Sequence, residues 1–226
     1  MQCFRVHAFT QEPFGGNPAC VIPLDSWPED PWMLRMAQEM AVAETAYIVP
    51  TPDAEDGSGY HLRWFTPDIE MDLCGHATLA SAHTVLHHLT PDASSVRFSS
   101  ASGPLTVRKT DDGRLEMDLP SRPPQPAPLP DAIANALSHA PNEVLKARDY
   151  VLVYPDQATV DAIRIDRTEF DQIKLGHGGV IVTALGDSAD FVSRFFTPQA
   201  TILEDPVTGS AHCSLVTYWN TRTGKT

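Results

Sequence analysis

Arg63-Trp64-Phe65-Thr66-Pro67 and Arg194-Phe195-Phe196-Thr197-Pro198 decide how the chain is read. Each carries an aromatic β segment into a Thr-Pro turn, at an offset of 194 − 63 = 131 residues. A loop of small residues running into a helix follows each one: Leu73-Cys74-Gly75-His76-Ala77-Thr78 in the first half, Glu204-Asp205-Pro206-Val207-Thr208-Gly209-Ser210-Ala211-His212 in the second. With the same offset Cys74 falls opposite Asp205. Strand, turn, loop and helix repeated in one order predict a duplicated α+β architecture.

Working outward, the alternation of Cys3 to Phe9 and the apolar run Ala19 to Pro23 predict a hairpin around Gly15-Gly16-Asn17-Pro18. A helix is expected over Pro31 to Met40, a strand from Glu44 to Val49, another from Tyr60 to Phe65, and an alanine-rich helix from Gly75 to about Leu89. Three short β segments follow, near Val96 to Phe98, Leu105 to Arg108 and Leu115 to Leu119. Pro120 to Pro130 holds six prolines in eleven residues, too many for a helix or a central strand. This predicts domains at 1–120 and 131–226, with 121–130 as a proline-rich linker. Beyond it the reading gives a helix at Asp131 to Ser138, strands at Tyr150 to Tyr154, Ile163 to Ile165 and Gly179 to Leu185, and a helical stretch at Glu169 to Lys174. The first half continues past its Gly-His-Ala-Thr helix, whereas the second ends soon after Tyr218-Trp219, so the second domain is expected to lack closing strands.

The chain has 226 residues, with 16 Lys+Arg against 29 Asp+Glu, a formal charge of −13. Such a surface repels phosphate backbones and anionic lipid, so nucleic-acid and membrane-surface roles are set aside. Neither a signal peptide nor a bilayer-spanning run is read, which predicts a cytoplasmic protein. The four cysteines Cys3, Cys20, Cys74 and Cys213 have no CxxC pair and read as reduced thiols. His76, His83 and His87 share a helix face, but the spacing between the first two spans about 10 Å of helix, which does not gather three imidazoles on one ion. Gly176-His177-Gly178-Gly179 lacks the Lys-Ser/Thr of a phosphate loop and reads as a turn into a strand. Pro206 suits a first helical turn and Asp205 the cap before it. Two helix starts with unpaired N–H groups can hold a small carboxylate even in an acidic protein.

Four motifs in order, Phe14-Gly15-Gly16-Asn17-Pro18-Ala19, Ala43-Glu44-Thr45-Ala46, the Arg63 to Thr78 segment and Glu204 to His212, resemble the signatures of the PhzF-like (PhzC/PhzF, phenazine biosynthesis) family. The resemblance implies the diaminopimelate-epimerase-like fold: two similar domains, each a mixed barrel-like sheet around a central helix, with the active site between them. It implies an isomerase without cofactor or metal, commonly a homodimer, acting on a small anionic carboxylate. Carried over by motif, Glu44 is the general acid/base, His76 and Asp205 assist, and Gly75, Thr208, Gly209 and Ser210 contact substrate. A carboxyl that takes and returns a proton needs a pKa near neutrality, which burial and a neighbouring carboxylate such as Asp205 favour. Two readings stay open beside this one. An epimerase or racemase on the same fold would use Cys74 or Asp205, although Asp205 replaces the second of the two thiols such enzymes carry. A truncated, non-catalytic binding relative is the other.

Overall fold

The computed structural model describes residues 1–12, 14–51 and 59–225; Thr226, where the short second half ends, lies outside them. The chain divides into two compact units, Met1–Leu119 and Pro120–Thr226.

In the first unit β1 (Phe4–Ala8) and β2 (Asn17–Pro23) form the expected antiparallel hairpin. Helix α1 (Asp30–Met40) leads to β3 (Glu44–Pro50), which lies parallel to β2. Pro31 suits the first turn of α1, where a missing N–H costs nothing, and Ala41 ends the helix at a left-handed φ of 51°. Then come β4 (Gly59–Phe65), β5 (Glu70–Met71), α2 (Gly75–Thr84), β6 (Ser95–Ser100), β7 (Gly103–Lys109) and β8 (Leu115–Met117). The strand order is β1-β2-β3-β4-β6-β7-β8, with β5 beside β4. Met33 and Ala37 of α1 pack with Ile22, Tyr47 and Phe65.

Helix α2 touches both edge strands, β1 and β8, as well as β2 and β3, so the sheet curls around it. Its buried residues are small, Gly75, Ala77, Thr78, Ala80, Ser81, Ala82 and Thr84 among them, which lets strands approach closely. The hydroxyls of Thr78, Ser81 and Thr84 donate to the carbonyls of Cys74, Ala77 and Ala80, so no buried hydroxyl of the three is left unpaired. The expected helix to Leu89 changes character after Thr84. Residues Val85–Leu89 form a π-turn, closed by Thr90 N–H donating to the Val85 carbonyl at 2.7 Å.

The second unit contains β9 (Gln125–Pro126), α3 (Asp131–Ala136), β10 (Glu143–Lys146), β11 (Tyr150–Val153), α4 (Gln157–Ala162), α5 (Arg167–Phe170), β12 (Val180–Leu185), β13 (Phe191–Phe196), β14 (Glu204–Asp205) and α6 (His212–Thr223). Its sheet runs β14-β13-β12-β11-β10-β9. One face packs Val151, Val153, Ile181 and Phe195 against Leu215, Tyr218 and Trp219 of α6. The other packs Leu152, Val180, Val182 and Phe196 against Ile133, Val160 and Phe170 of α3, α4 and α5. The proline-rich stretch packs with this unit. Gln125–Pro126 pairs with β10, Ala127 N–H donates to Val144, and Ala127 and Leu129 lie on the second core. Proline tolerates such an edge position because the outward N–H is not needed.

Two expectations are corrected. Ile163 to Ile165 is not a strand; Ile165 makes only an isolated bridge to Leu137, and Ile163 fills the core as α4 ends. The fixed offset also fails beyond the Thr-Pro turn. Glu70 pairs with Phe65 and Glu204 with Phe196, so the turns hold four and seven residues, and the offset becomes 204 − 70 = 134. By this register Asp205 stands where Met71 stands, and the residue matching Cys74 is Thr208. Cys74 caps α2 and Thr208 caps the 3₁₀ turn Gly209–Ala211 that leads into α6. Asp205 therefore ends β14 and is not a helix cap, and Pro206 precedes the helical turn.

Candidate active site

Strand alternation positions Glu44. Residues of one parity on β3, such as Tyr47, pack toward α1, so Glu44 points to the opposite face, where α2 begins. Its Oε2 lies 3.2 Å from Nε2 of His76, with side chains 12% and 2% exposed. The pair meets the distance for a hydrogen bond but not its alignment. Catalytic contacts are often loose before substrate binds. Gly75, buried, begins α2 directly before His76.

Burial pushes the His76 imidazole down to about 4, outweighing the opposing effect of the Pro18 carbonyl. The ring is neutral at neutral pH, so it meets Glu44 as a neutral partner and not as an imidazolium. Its other nitrogen, Nδ1, lies 3.4 Å from Asn17 Nδ2 and 3.4 Å from Cys74 Sγ.

Among the described residues, Glu44, Cys74 and His76 also form a group whose ligand atoms lie within 4.8 Å of one another. The imidazole stands between the other two, with Nε2 toward Glu44 and Nδ1 toward Cys74.

The remaining sequence-derived residues lie in the second unit. Asp205 Oδ2 accepts a 2.6 Å hydrogen bond from Thr208 Oγ1. Gly209 opens the 3₁₀ turn, and Ser210 is buried within it. Sequence reasoning missed the support of Ser210: Arg148 Nη2 donates to Ser210 Oγ at 3.0 Å, and Asp149 holds the same guanidinium through Nε and Nη2. Asp149, buried, also accepts from Gly179 N–H at 2.9 Å. Asn17 of the Phe14 to Ala19 motif is the other residue left without a role by the sequence. None of the four cysteines is in a disulfide, and burial raises the Cys213 thiol, which fits a packing role. Gly176-His177 forms a turn before β12, as read.

The two units share a local plan. Arg63 holds Glu70 through two bonds of 2.7 and 2.6 Å, and Arg194 holds Glu204 through two of 2.7 and 2.8 Å. Each guanidinium also covers the phenylalanine that ends its strand, Phe65 at 5.2 Å and Phe196 at 4.9 Å.

Residues 6–226 match the family described as phenazine biosynthesis-like protein, PhzC-PhzF. An uncharacterized isomerase of Pseudomonas aeruginosa is 47% identical over 224 residues, 99% of this chain and 83% of that protein. A PhzF-family crystal structure from Enterococcus faecalis is similar with a TM-score of 0.85 and 42% identity, covering 99% of this chain and 84% of that one. A probable proline racemase from Agrobacterium radiobacter, 10% identical, has a TM-score of 0.64 over 99% of this chain and 78% of that one; it shares the fold alone. No helix among the described residues is long and apolar enough to cross a membrane.

Proposed function

The chain belongs to the phenazine biosynthesis-like PhzC-PhzF family, and on that premise we propose that it is an isomerase moving a proton on a small carboxylate-bearing substrate through Glu44. The observation that carries this reading is the buried Glu44–His76 contact of 3.2 Å at the start of α2. Burial holds the His76 imidazole neutral at neutral pH, so His76 is no proton store. It acts as a neutral hydrogen-bond partner that orients the carboxyl, and Glu44 takes the proton from one carbon and returns it to another. Such a shift moves no electrons overall, so the proposed reaction needs no redox cofactor. Asp205, with Thr208 on its Oδ2, is the proposed second carboxylate. Gly75, Gly209 and Ser210 are the proposed substrate contacts, in a duplicated diaminopimelate-epimerase-like architecture acting as a homodimer in the cytoplasm.

The test is deuterium incorporation from D₂O into small cyclic and amino-acid carboxylates, followed by NMR, with Glu44→Gln in parallel. Exchange that falls about 10²- to 10⁴-fold in a folded Glu44→Gln protein is the expected result. Exchange unchanged in that variant would sink the assignment. The 3.4 Å approach of Cys74 Sγ to His76 Nδ1 favours one second reading, an epimerase working through Cys74. In that case Cys74→Ser abolishes exchange at an α-carbon while Glu44→Gln spares it.

A further inference from the structure

We propose that His83 and His87 chelate one divalent transition-metal ion at the C-terminal end of α2. The two histidines are four residues apart, the spacing that brings side chains together on a helix. Their ring centroids are 4.3 Å apart, tilted by 56°. The π-turn explains why a second imidazole also comes near. A turn closed by Thr90 N–H on the Val85 carbonyl is wider than an α-turn, so His87 and His88 both swing over His83, with His88 at 5.9 Å. His88 instead stacks on Phe4 at 5.1 Å, which leaves His83 and His87 as the ligand pair.

The chemistry of the pair suits a borderline ion. Neutral imidazole is the usual ligand for zinc, nickel and copper. Burial lowers the pKa of both His83 and His87, and the neighbouring histidines lower them further, as does Lys109 for His87, so the lone pairs are available at neutral pH. His83 is half-buried, so it loses little rotamer freedom on binding, while His87 is exposed and leaves open positions for water. The nearby cation is Lys109, whose ammonium is tied to the Pro91 carbonyl at 3.0 Å. A formal charge of −13 on the whole chain draws cations toward the surface. An ion held across the last α-turn and the π-turn would fasten the end of the helix whose start carries His76, and would stabilise the folded chain by mass action.

The experiment is calorimetric titration of the full, untagged chain with Ni²⁺ and with Zn²⁺, alongside thermal unfolding with and without ion. The expected result is one ion per chain and a raised Tm. Affinity should fall about tenfold or more in His83→Gln and in His87→Gln and stay unchanged in His88→Gln. Because His87 is exposed, His87→Gln keeps the test decisive if His83→Gln folds poorly. Absence of binding to the unaltered chain would overturn the proposal. So would binding undiminished in His87→Gln, which would place the ion elsewhere, or an equal loss in His88→Gln, which would remove the assigned ligand pair.

Discussion

Glu44 and Gly179 occupy the same place in the two sheets, one residue before the strand position that faces the phenylalanine ending the next strand. Thr45 pairs with Phe65, and Val180 with Phe196; both strands run parallel to the strand on their other side. In the first unit that place carries a carboxylate aimed at a buried imidazole. In the second it carries a glycine whose N–H is held by Asp149, with no room for a side chain: a Cβ there would stand 2.4 Å from Phe195 Cζ. The helix starts differ in the same sense, since the 134-residue register sets His76 against Ser210. Matching strand registers thus carry an ionisable pair in one unit and a hydrogen-bonded glycine in the other.

The largest expected effect tests the fixed side. Asp149→Ala leaves the partly buried Arg148 guanidinium without its carboxylate and the buried Gly179 N–H without its acceptor, and should cost about 3 kcal/mol in urea unfolding. A cost within experimental error would mean that the second unit does not depend on this network. Gly179→Ala comes next, at about 1–3 kcal/mol from overpacking against Phe195 and the Phe196 carbonyl. An unaltered denaturation midpoint would show that the two sheets could exchange residues at this place.

The titrating side is probed by pH. The His76 pKa falls from 6.5 in the unfolded chain to about 4 in the folded one, so between those values the unfolded chain binds more protons. The stability present above pH 6.5 is lost as pH falls toward 4, by up to about 1.4 kcal/mol per pH unit for this group. His76→Gln should flatten that part of the stability–pH curve, and an unchanged slope would assign the proton uptake to other groups.

The smallest effect tests what the units share. Arg63 and Arg194 are 25% and 24% exposed, and their partners Glu70 and Glu204 are 37% and 39% exposed. Such half-exposed pairs contribute up to about 1 kcal/mol. Arg63 Nη1 also meets the exposed Asp30 carboxylate, whereas Arg194 Nη1 donates to the Val160 and Ile163 carbonyls, so Arg194→Lys should cost more than Arg63→Lys, and equal costs would show that only the shared glutamate pairs count.

The sequence made the sheet strands of the first unit legible because alternation and flanking turns coincide there, and β3 begins at Glu44 as read. Glu44 and His76 were nameable through motifs, but their 3.2 Å contact is a tertiary fact. The Arg148–Asp149–Ser210 support was not legible, since it joins residues 62 positions apart with no periodic signal. The 131-residue offset misled because it was carried over from the Thr-Pro turns, although Gly75-His76-Ala77 set against Gly209-Ser210-Ala211 already gives 209 − 75 = 134. Helix α4 escaped notice for its shortness, although Asp156 accepting from Thr159 N–H marks its start. The π-turn was hidden because Val85-Leu86-His87-His88-Leu89 fits an ordinary helix equally well.

Helix α2 rests on both β1 and β8, the first and last strands of its unit. Its buried small residues therefore find their surroundings only when the two ends of that stretch of chain have come together. The loop closed in doing so spans most of the unit, and contacts of such long range predict slow folding of the first unit. It also ties the amide protons of α2 to global opening, so they should be among the last in the unit to exchange with solvent.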